Sequence, residues 1–434
     1  MTMPWVSFFY IENISGAALS FTLRKFFENP ALITLLASFN VAFNFLVGVV
    51  TSYLSDRIWT RWGRRRPFLI TGWLGVGVTL AFVPLAPNAW VLAVLIVLYQ
   101  FFQDVAKPLE PLYNEVVPPA QRGRAVTVRS IAQNLMNLVF FGVLIAQFDR
   151  VYDLGKWGAG LHLTGEQVVY WTGSALIVLA ALFLLLFVRE RQPVDQPAQK
   201  QCFALMPFLR DVFGHRQWWT VYLLYSIPLL ATTGMNELEP LMRTEQLGFS
   251  KAAFGSAVSI GLVINIAIFI PLAGFLTDRM PRLLMLQCAI VAFAAVNFLF
   301  FLYLRYVADY QISLMTLIVF GIIATAFKSC IYIVWGPMVY DYIPSARFGT
   351  VAAGFAFIGG ITPFLLMNLT GLWINGFTAL FGTRGGSTFD YSSIYVLQVI
   401  SVGGALLLMR YIRSEERAGR LKACGRMEIA RTAD

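Results

Sequence analysis

Twelve stretches dominated by apolar side chains follow one another along the 434-residue chain. Each is about 20 residues long, which at 1.5 Å per residue is what an α-helix needs to cross a hydrocarbon core ~30 Å thick. They fall at roughly 4–23, 30–54, 67–86, 89–114, 125–148 and 168–188, then at 217–241, 252–276, 282–304, 312–340, 351–373 and 391–409. Lipid offers backbone N–H and C=O groups no partner, so spans of this kind must be helices that satisfy themselves. The polar stretch 189–216, with Pro193, Asp195 and Pro197, separates six from six and reads as a linker. The expected fold is an all-α polytopic membrane protein with twelve transmembrane helices in two six-helix pseudo-repeat bundles, 1–188 and 217–411. The linker 189–216 joins them and a tail, 412–434, follows. Composition agrees, since 58% of residues are hydrophobic and 13% charged, against about a quarter charged in soluble domains. The first stretch lacks a basic lead and a small-residue cleavage site, so it reads as a retained span rather than a signal peptide.

The net charge of +10 would fit a nucleic-acid partner in a soluble protein, but its distribution follows topology instead. With the N-terminus cytoplasmic, the inner segments hold 22 Lys and Arg, the outer loops eight and the spans three. Cytoplasmic loops carry that excess in membrane proteins, so both termini are expected inside, in a cell inner (plasma) membrane. Three consecutive arginines, Arg64 to Arg66, wedged between two spans form no extended patch for nucleic acid. Cys202, Cys288, Cys330 and Cys424 are scattered and His162 and His215 stand alone, so no metal cluster, disulfide framework or cofactor is encoded. With no catalytic nucleophile or phosphate loop either, an enzyme is not expected.

The two halves echo each other. Ser55-Asp56-Arg57 recurs as Thr277-Asp278-Arg279, and Pro111, Glu115, Pro118 and Gly123 recur as Pro337, Asp341, Pro344 and Gly349. The offsets are 222 and 226 positions, nearly equal at two separate loops, as expected of transporters assembled from repeated units.

The run Asp56-Arg57-Ile58-Trp59-Thr60-Arg61-Trp62-Gly63-Arg64-Arg65-Arg66-Pro67-Phe68 resembles the loop between the second and third helices of the major facilitator superfamily. Within it, the chain is most similar to the sugar:cation symporters of the sucrose-transporter and melibiose (glycoside, pentoside, hexuronide) types. The resemblance implies alternating access, with Asp56, Arg57, Arg61 and Arg64, and Asp278 and Arg279 in the repeat, latching the inner gate. It also implies that Glu110, eight residues before Pro118, and Arg129 in Arg-Ser-Ile bind sugar, with Glu12 as the acidic residue of the first helix. The family's stacking aromatic would fall at Asn114. Its sodium-binding aspartates would fall at Asn44 and Gly48, so the resemblance points to protons rather than sodium here. Ser52 stands where the general motif has glycine, the nearest being Gly48.

Ionisable residues at bilayer depth are costly and mark pathways. Glu12, Asp104, Glu110, Glu237 and Glu239 are such carboxylates, with Lys107, Arg129 and Lys328 as cations. On the fourth helix Asp104, Lys107 and Glu110 are spaced i, i+3, i+6, a ladder in which protonating one acid releases Lys107 to the other; the alternative is a purely structural network. Glu237 and Glu239 close the seventh helix as gate or surface groups. Lys328, Tyr332 and Trp335 share one face of the tenth, either donating to and stacking on a substrate or packing in the core. Asn134, Asn137, Asn236 and Asn265 either bridge helices or meet substrate.

The expected function is a monomeric secondary active transporter, a proton-coupled symporter of a sugar or glycoside. Substrate would be held by Glu110, Arg129, Lys107, Glu12, Lys328, Trp335 and Asn137, and the proton by Asp104, Glu110 or Glu12. A transporter of another small solute, such as an organic anion, nucleoside or amphipathic compound, remains the alternative, as does a non-transporting membrane sensor or assembly factor on the same scaffold.

Overall fold

The computed structural model describes residues 2–48, 50–51, 54–55, 60–109, 112, 122–153, 162–188, 190, 210, 212–232, 237–340, 342 and 348–419. Among them the chain is helical apart from one short hairpin. In chain order the helices are α1 (Thr2–Asn13), α2 (Leu19–Arg24), α3 (Pro30–Phe43), α4 (Arg66–Phe82), α5 (Ala89–Val105), α6 (Arg122–Val139) and α7 (Gly165–Phe187). They continue as α8 (Arg216–Ala231), α9 (Glu239–Leu241), α10 (Lys251–Ile264), α11 (Ile270–Arg279), α12 (Arg282–Tyr306), α13 (Leu314–Tyr340), α14 (Phe348–Phe381) and α15 (Ile394–Arg417). Nine helical stretches among the described residues are long and apolar enough to cross a membrane. The rest of the twelve expected windows fall on α1 with α2, on α5 and on α8.

Several spans are interrupted by a single π-helical turn. These lie at Ile14–Ala18, Asn44–Gly48, Phe140–Leu144 and Asn265–Phe269, so α1 runs through such a turn into α2 and α10 through one into α11. A π turn widens the helix and leaves carbonyls partly served, which is why such turns gather near functional side chains.

Two windows depart from expectation. Within the fourth window α5 ends at Val105 in a turn, 106–108, beyond which Leu109 and Leu112 are again helical. Pro108 has no N–H to give the Asp104 carbonyl and also disfavours helical backbone at Lys107. That carbonyl is served instead by the Thr51 hydroxyl (3.2 Å) and the Lys107 N–H (3.2 Å). The seventh helix ends at Ala231, so Glu237 and Glu239 do not close it. Glu237 lies in a turn and Glu239 opens the one-turn α9.

The chain forms two compact units. The first comprises Met1–Gln199 with Asn236–Leu262. In it α1 and α7 run antiparallel, for Tyr10 donates to the Val169 carbonyl (2.8 Å) and Ser7 to that of Leu176 (2.9 Å). On α4, Gly72 lets the α5 backbone come so near that a Cβ would meet Phe102 O and Ala106 N at 2.8 Å. Without a hydrophobic drive between helices in lipid, such close approach is what holds them. The hairpin β1 (Val151–Asp153) and β2 (His162–Thr164) pairs antiparallel with Val151 opposite Thr164. It leads into α7 through a capping box between Thr164 and Gln167.

The second unit, Lys200–Met235 with Val263–Asp434, carries a buried polar knot at the loops flanking α12 and α15. Arg305 Nη1 reaches Asp390 Oδ2 at 2.7 Å, with both side chains out of water. Ser392 donates to Asp390 Oδ1 (2.6 Å), the Tyr310 hydroxyl bonds Ser392 (2.8 Å), and Asp390 N–H donates to Thr378 (2.9 Å). Burial pushes the Tyr310 hydroxyl above its ordinary value, so it stays protonated at physiological pH. The left-handed backbone of Asp309 (φ 43°) and Tyr310 (φ 61°) is strained for such residues and is held by these bonds.

Candidate functional site

The inward face of α5 begins as an ordinary apolar stripe, with Leu92 and Ile96 buried, and then turns polar while staying buried: Tyr99, Gln100, Gln103 and Asp104. Gln100, Gln103, Asp104 and Lys107 are spaced i, i+3, i+4, i+7, one helical face. Asp104 is 1% exposed. Its Oδ1 lies 3.5 Å from the Lys107 ammonium, which keeps 41% of its side-chain surface. Gln103 donates from Nε2 to Glu12 Oε1 on α1 at 2.7 Å. The α5 segment thus brings an Asp104–Lys107 pair and a hydrogen-bonded link to a carboxylate of another helix close together in sequence. The Tyr99 hydroxyl bonds Ser15, in the π turn after α1.

The wall opposite is neutral and close. A Cβ on Gly48 would sit 3.4 Å from Lys107 Cγ, 3.5 Å from Asn44 Oδ1 and 3.8 Å from Asp104 Oδ1, so the glycine in this π turn lets the ion pair approach the second span. Asp104 Oδ2, Gln103 Oε1 and both amide atoms of Gln100 are buried and make no hydrogen bond among the described residues. Buried polar atoms are normally satisfied. Four of them on one face offer hydrogen-bonding capacity that the fold itself does not use.

Other expected site residues fall around this cluster. Asn13 donates to Asn137 Oδ1 at 2.8 Å, and the Arg129 guanidinium lies flat on Trp5, 3.4 Å from the ring centroid. Trp5 with Arg129 and Asn13 with Asn137 advance together along the chain, so α1 and α6 run parallel, as the first and fifth spans of the expected topology must. Seven residues separate Trp5 from Glu12, about 10 Å along the helix. Arg129 thus marks a second pole of the region. Glu110, Asp56 and Arg57 lie outside the described residues, as does the Asp278 side chain. Arg279 is exposed with its guanidinium over Phe275 (4.0 Å), and Arg61 is exposed beside Trp62 (5.4 Å).

In the second unit Lys328 is half-buried on α13. One turn on, the Tyr332 hydroxyl meets Thr232 at 3.0 Å, and Trp335 packs edge-on against Tyr225 (4.7 Å), itself stacked on Phe355. Trp335 Nε1 makes no hydrogen bond to protein. Asn265 accepts from Ser329, and Asn134 donates to the Ser130 carbonyl of its own helix.

Two arrays are absent from the sequence reading. At the start of α4 a tight turn at Thr60 and Gly63 (φ 105°) aims the N–H groups of Arg64, Arg65 and Arg66 at one carboxylate, Glu190, at 2.8 to 3.2 Å. A helix N-terminus is where an anion gains most from the backbone dipole. The acid seated there comes from just beyond α7.

The second array joins residues 237–254 to the far end of α2. Arg24 binds Glu245 through both carboxylate oxygens (2.8 and 3.0 Å), Lys251 pairs with Asp149, and Ser20 donates to the Glu237 carbonyl. Lys251 also lies over Phe148 (4.4 Å) and Phe21 (4.8 Å), and Phe254 packs on Phe21 and Phe141. Glu239 is held by Arg243 one turn on.

Among the described residues no three His, Cys, Asp or Glu side chains gather as a metal site would require. No curated protein matches the sequence. Solved structures do match in fold. One is a bacterial homologue of the human lysosomal transporter Spinster, inward-facing and unoccupied (16% identity, 95% of each chain, TM-score 0.65). Another is a D-xylose-proton symporter (17% identity, 94% of this chain and 95% of that one, TM-score 0.64). A third is a POT family transporter in complex with 5-aminolevulinic acid (12% identity, 95% and 96%, TM-score 0.66). At such identities the likeness is one of fold. The family profile of the Major Facilitator Superfamily matches residues 5–266, more than half of the chain, and the protein, a multi-pass membrane transporter rather than an enzyme, belongs to that superfamily.

Proposed function

We propose that this transporter is a proton-coupled symporter of a sugar or glycoside, working by alternating access, with 1–188 and 217–411 as its two six-helix repeats. It would sit in a cell inner membrane with both termini cytoplasmic. The observation that carries the reading is the buried Asp104 paired with Lys107, with Gln103 bonded to Glu12 and four unserved polar atoms on the same stretch. An acid that exchanges its lysine for a proton, next to hydrogen-bonding groups awaiting a partner, is what coupling a proton to a hydroxylated solute requires. Asp104 carries the proton. Glu12, Gln103 and Gln100 bind hydroxyls, and Arg129 and Asn137 extend the contact surface along α6; within the second unit, Trp335 offers a ring and Lys328 a donor for substrate. The D-xylose-proton symporter shares the fold, which supports the reading without fixing the cargo.

On this proposal the Arg24–Glu245 and Lys251–Asp149 pairs belong to the outer gate, and the Glu190-capped turn to the inner latch with Asp56, Arg57, Arg61, Arg64, Asp278 and Arg279. A second reading, transport of an organic anion, has one observation in its favour: Lys328 lies one turn before Tyr332 and two before Trp335 on α13, a cation on the same helix side as two aromatic residues.

The test is uptake by purified protein in liposomes under an inward proton gradient, with a panel of disaccharides and glycosides and with carboxylates as competitors. Saturable sugar accumulation that a protonophore abolishes is expected. Accumulation of carboxylates but of no sugar would overturn the sugar assignment and favour the second reading.

A further inference from the structure

The exposed edge of α15 changes character along its length. Ile400, Gly403, Leu407, Arg410, Ser414 and Arg417 are all exposed and spaced alternately by three and four residues, one stripe of the helix. Ser401, Val402, Ala405, Met409, Ile412 and Glu415 form its buried side. Ile400 is 56% and Leu407 64% exposed, which in a spanning helix means that they meet lipid tails. Counting about 20 residues of hydrocarbon crossing from Ile394 puts the far boundary near Ser414. The stripe therefore passes from acyl-chain depth to headgroup depth just where it turns from apolar to arginine.

Two adjoining cavities sit at that end, of about 340 and 570 Å³, and both are lined by Arg413 and Arg417. Arg410 lines the larger; Leu283 and Leu284, from the start of α12, line the smaller. Among the described residues no acid lines the larger cavity. Glu415 meets Arg216 at 3.5 Å, and Glu416, which also borders the smaller cavity, accepts from Tyr342 at 3.4 Å. Among the described residues none of the three arginines has a carboxylate partner. Like charges at i, i+3 and i, i+4 mildly destabilise a helix, so an anion shared by the three would stabilise this end of α15.

We propose that Arg410, Arg413 and Arg417 bind the phosphate of an anionic phospholipid. Guanidinium forks match phosphate oxygens in pairs. The apolar wall of Leu283 and Leu284 and the Leu407 stripe above it accommodate glycerol and acyl chains, which free phosphate does not have. The assignment is independent of the cargo.

The experiment titrates phosphatidylglycerol, phosphatidylcholine of the same chain length, or inorganic phosphate into the detergent-purified full chain, following thermal unfolding and counting retained lipid by native mass spectrometry. Phosphatidylglycerol should raise the unfolding temperature saturably and stay bound, and the other two should not. R413Q/R417Q should weaken its apparent affinity by about fivefold per arginine removed, corresponding to ~1 kcal/mol for each basic residue near an anionic surface. The single variant R417Q, on the exposed stripe, carries the comparison if the double variant folds poorly. Equal effects of the two lipids, or unchanged affinity in both variants, would overturn the proposal. An effect of inorganic phosphate alone would overturn the lipid assignment, showing a free-anion site instead.

Discussion

Replacing Asp104 by asparagine isolates the proposed coupling step, because the amide keeps the shape of the protonated acid and can never release a proton. The carboxylate is 1% exposed and lies 3.5 Å from the Lys107 ammonium. At an effective dielectric of about 20 that separation corresponds to roughly 5 kcal/mol of attraction, less what solvent removes at the partly exposed lysine. Protonation cancels the attraction and frees Lys107, so the two states of Asp104 differ by enough to shift a conformational equilibrium. D104N is fixed in one of them. One proton moving down 100 mV supplies about 2.3 kcal/mol, equivalent to roughly 50-fold accumulation of a symported solute. In proteoliposomes holding an inside-negative potential of that size, the native protein should approach this ratio. D104N should fill the vesicles only to the external concentration, while exchange of labelled for unlabelled substrate, which needs no net proton movement, continues. Accumulation by D104N at the native ratio would refute Asp104 as the proton carrier. Loss of exchange together with accumulation would refute the division of labour and make Asp104 a substrate ligand or a structural support.

Two further substitutions test the scaffold. Asp390→Asn leaves Arg305 as a buried charge without its counter-ion, which should cost about 3–5 kcal/mol; thermal unfolding of D390N against D390N/R305M, the double variant recovering much of the loss, checks it. Glu190→Gln removes the charge from the three N–H groups at the start of α4 and should cost about 1–2 kcal/mol, read as a lower unfolding temperature that high salt narrows, because the native charge interaction is the one screened.

The transmembrane plan was written in the apolar windows because lipid allows so few alternatives: each expected window carries a helical run, and the paired advance of Trp5 with Arg129 and Asn13 with Asn137 agrees with parallel first and fifth spans. The site was legible only where it was charged. Asp104, Lys107 and Glu12 stood out as costs in a bilayer, whereas Gln100 and Gln103 carry no charge and went unremarked. Their signal was the spacing i, i+3, i+4, i+7 with Asp104 and Lys107, a polar stripe in an otherwise apolar helix. Pro108, too, announced the turn that follows α5, while Glu110, the last rung of the expected ladder, lies outside the described residues. The Glu190 cap and the Arg24–Glu245 pair had no local signal at all. Their partners are 124 to 126 and 221 residues away, and nothing in a local period reports on a neighbour brought by tertiary packing.

The pair at Asp104 also bears on which ion drives the cycle. Asn44 and Gly48 line the neighbouring wall, so Asp104 is answered by one lysine and faces neutral groups from the second span. A sodium ion entering there would find one carboxylate already shared with an ammonium, and two unit positive charges about 4 Å apart repel by roughly 4 kcal/mol at a dielectric of 20. It would have to displace Lys107 before gaining the acid, and the second span offers no further carboxylate to compensate. A proton adds no second cation. It neutralises the acid in place, and the Lys107 ammonium, 41% exposed, is left to solvent rather than set against a second cation. Between these two uses of the same residues the charge count favours the proton, and the reason lies in the residues missing from the second span as much as in those present on the fourth.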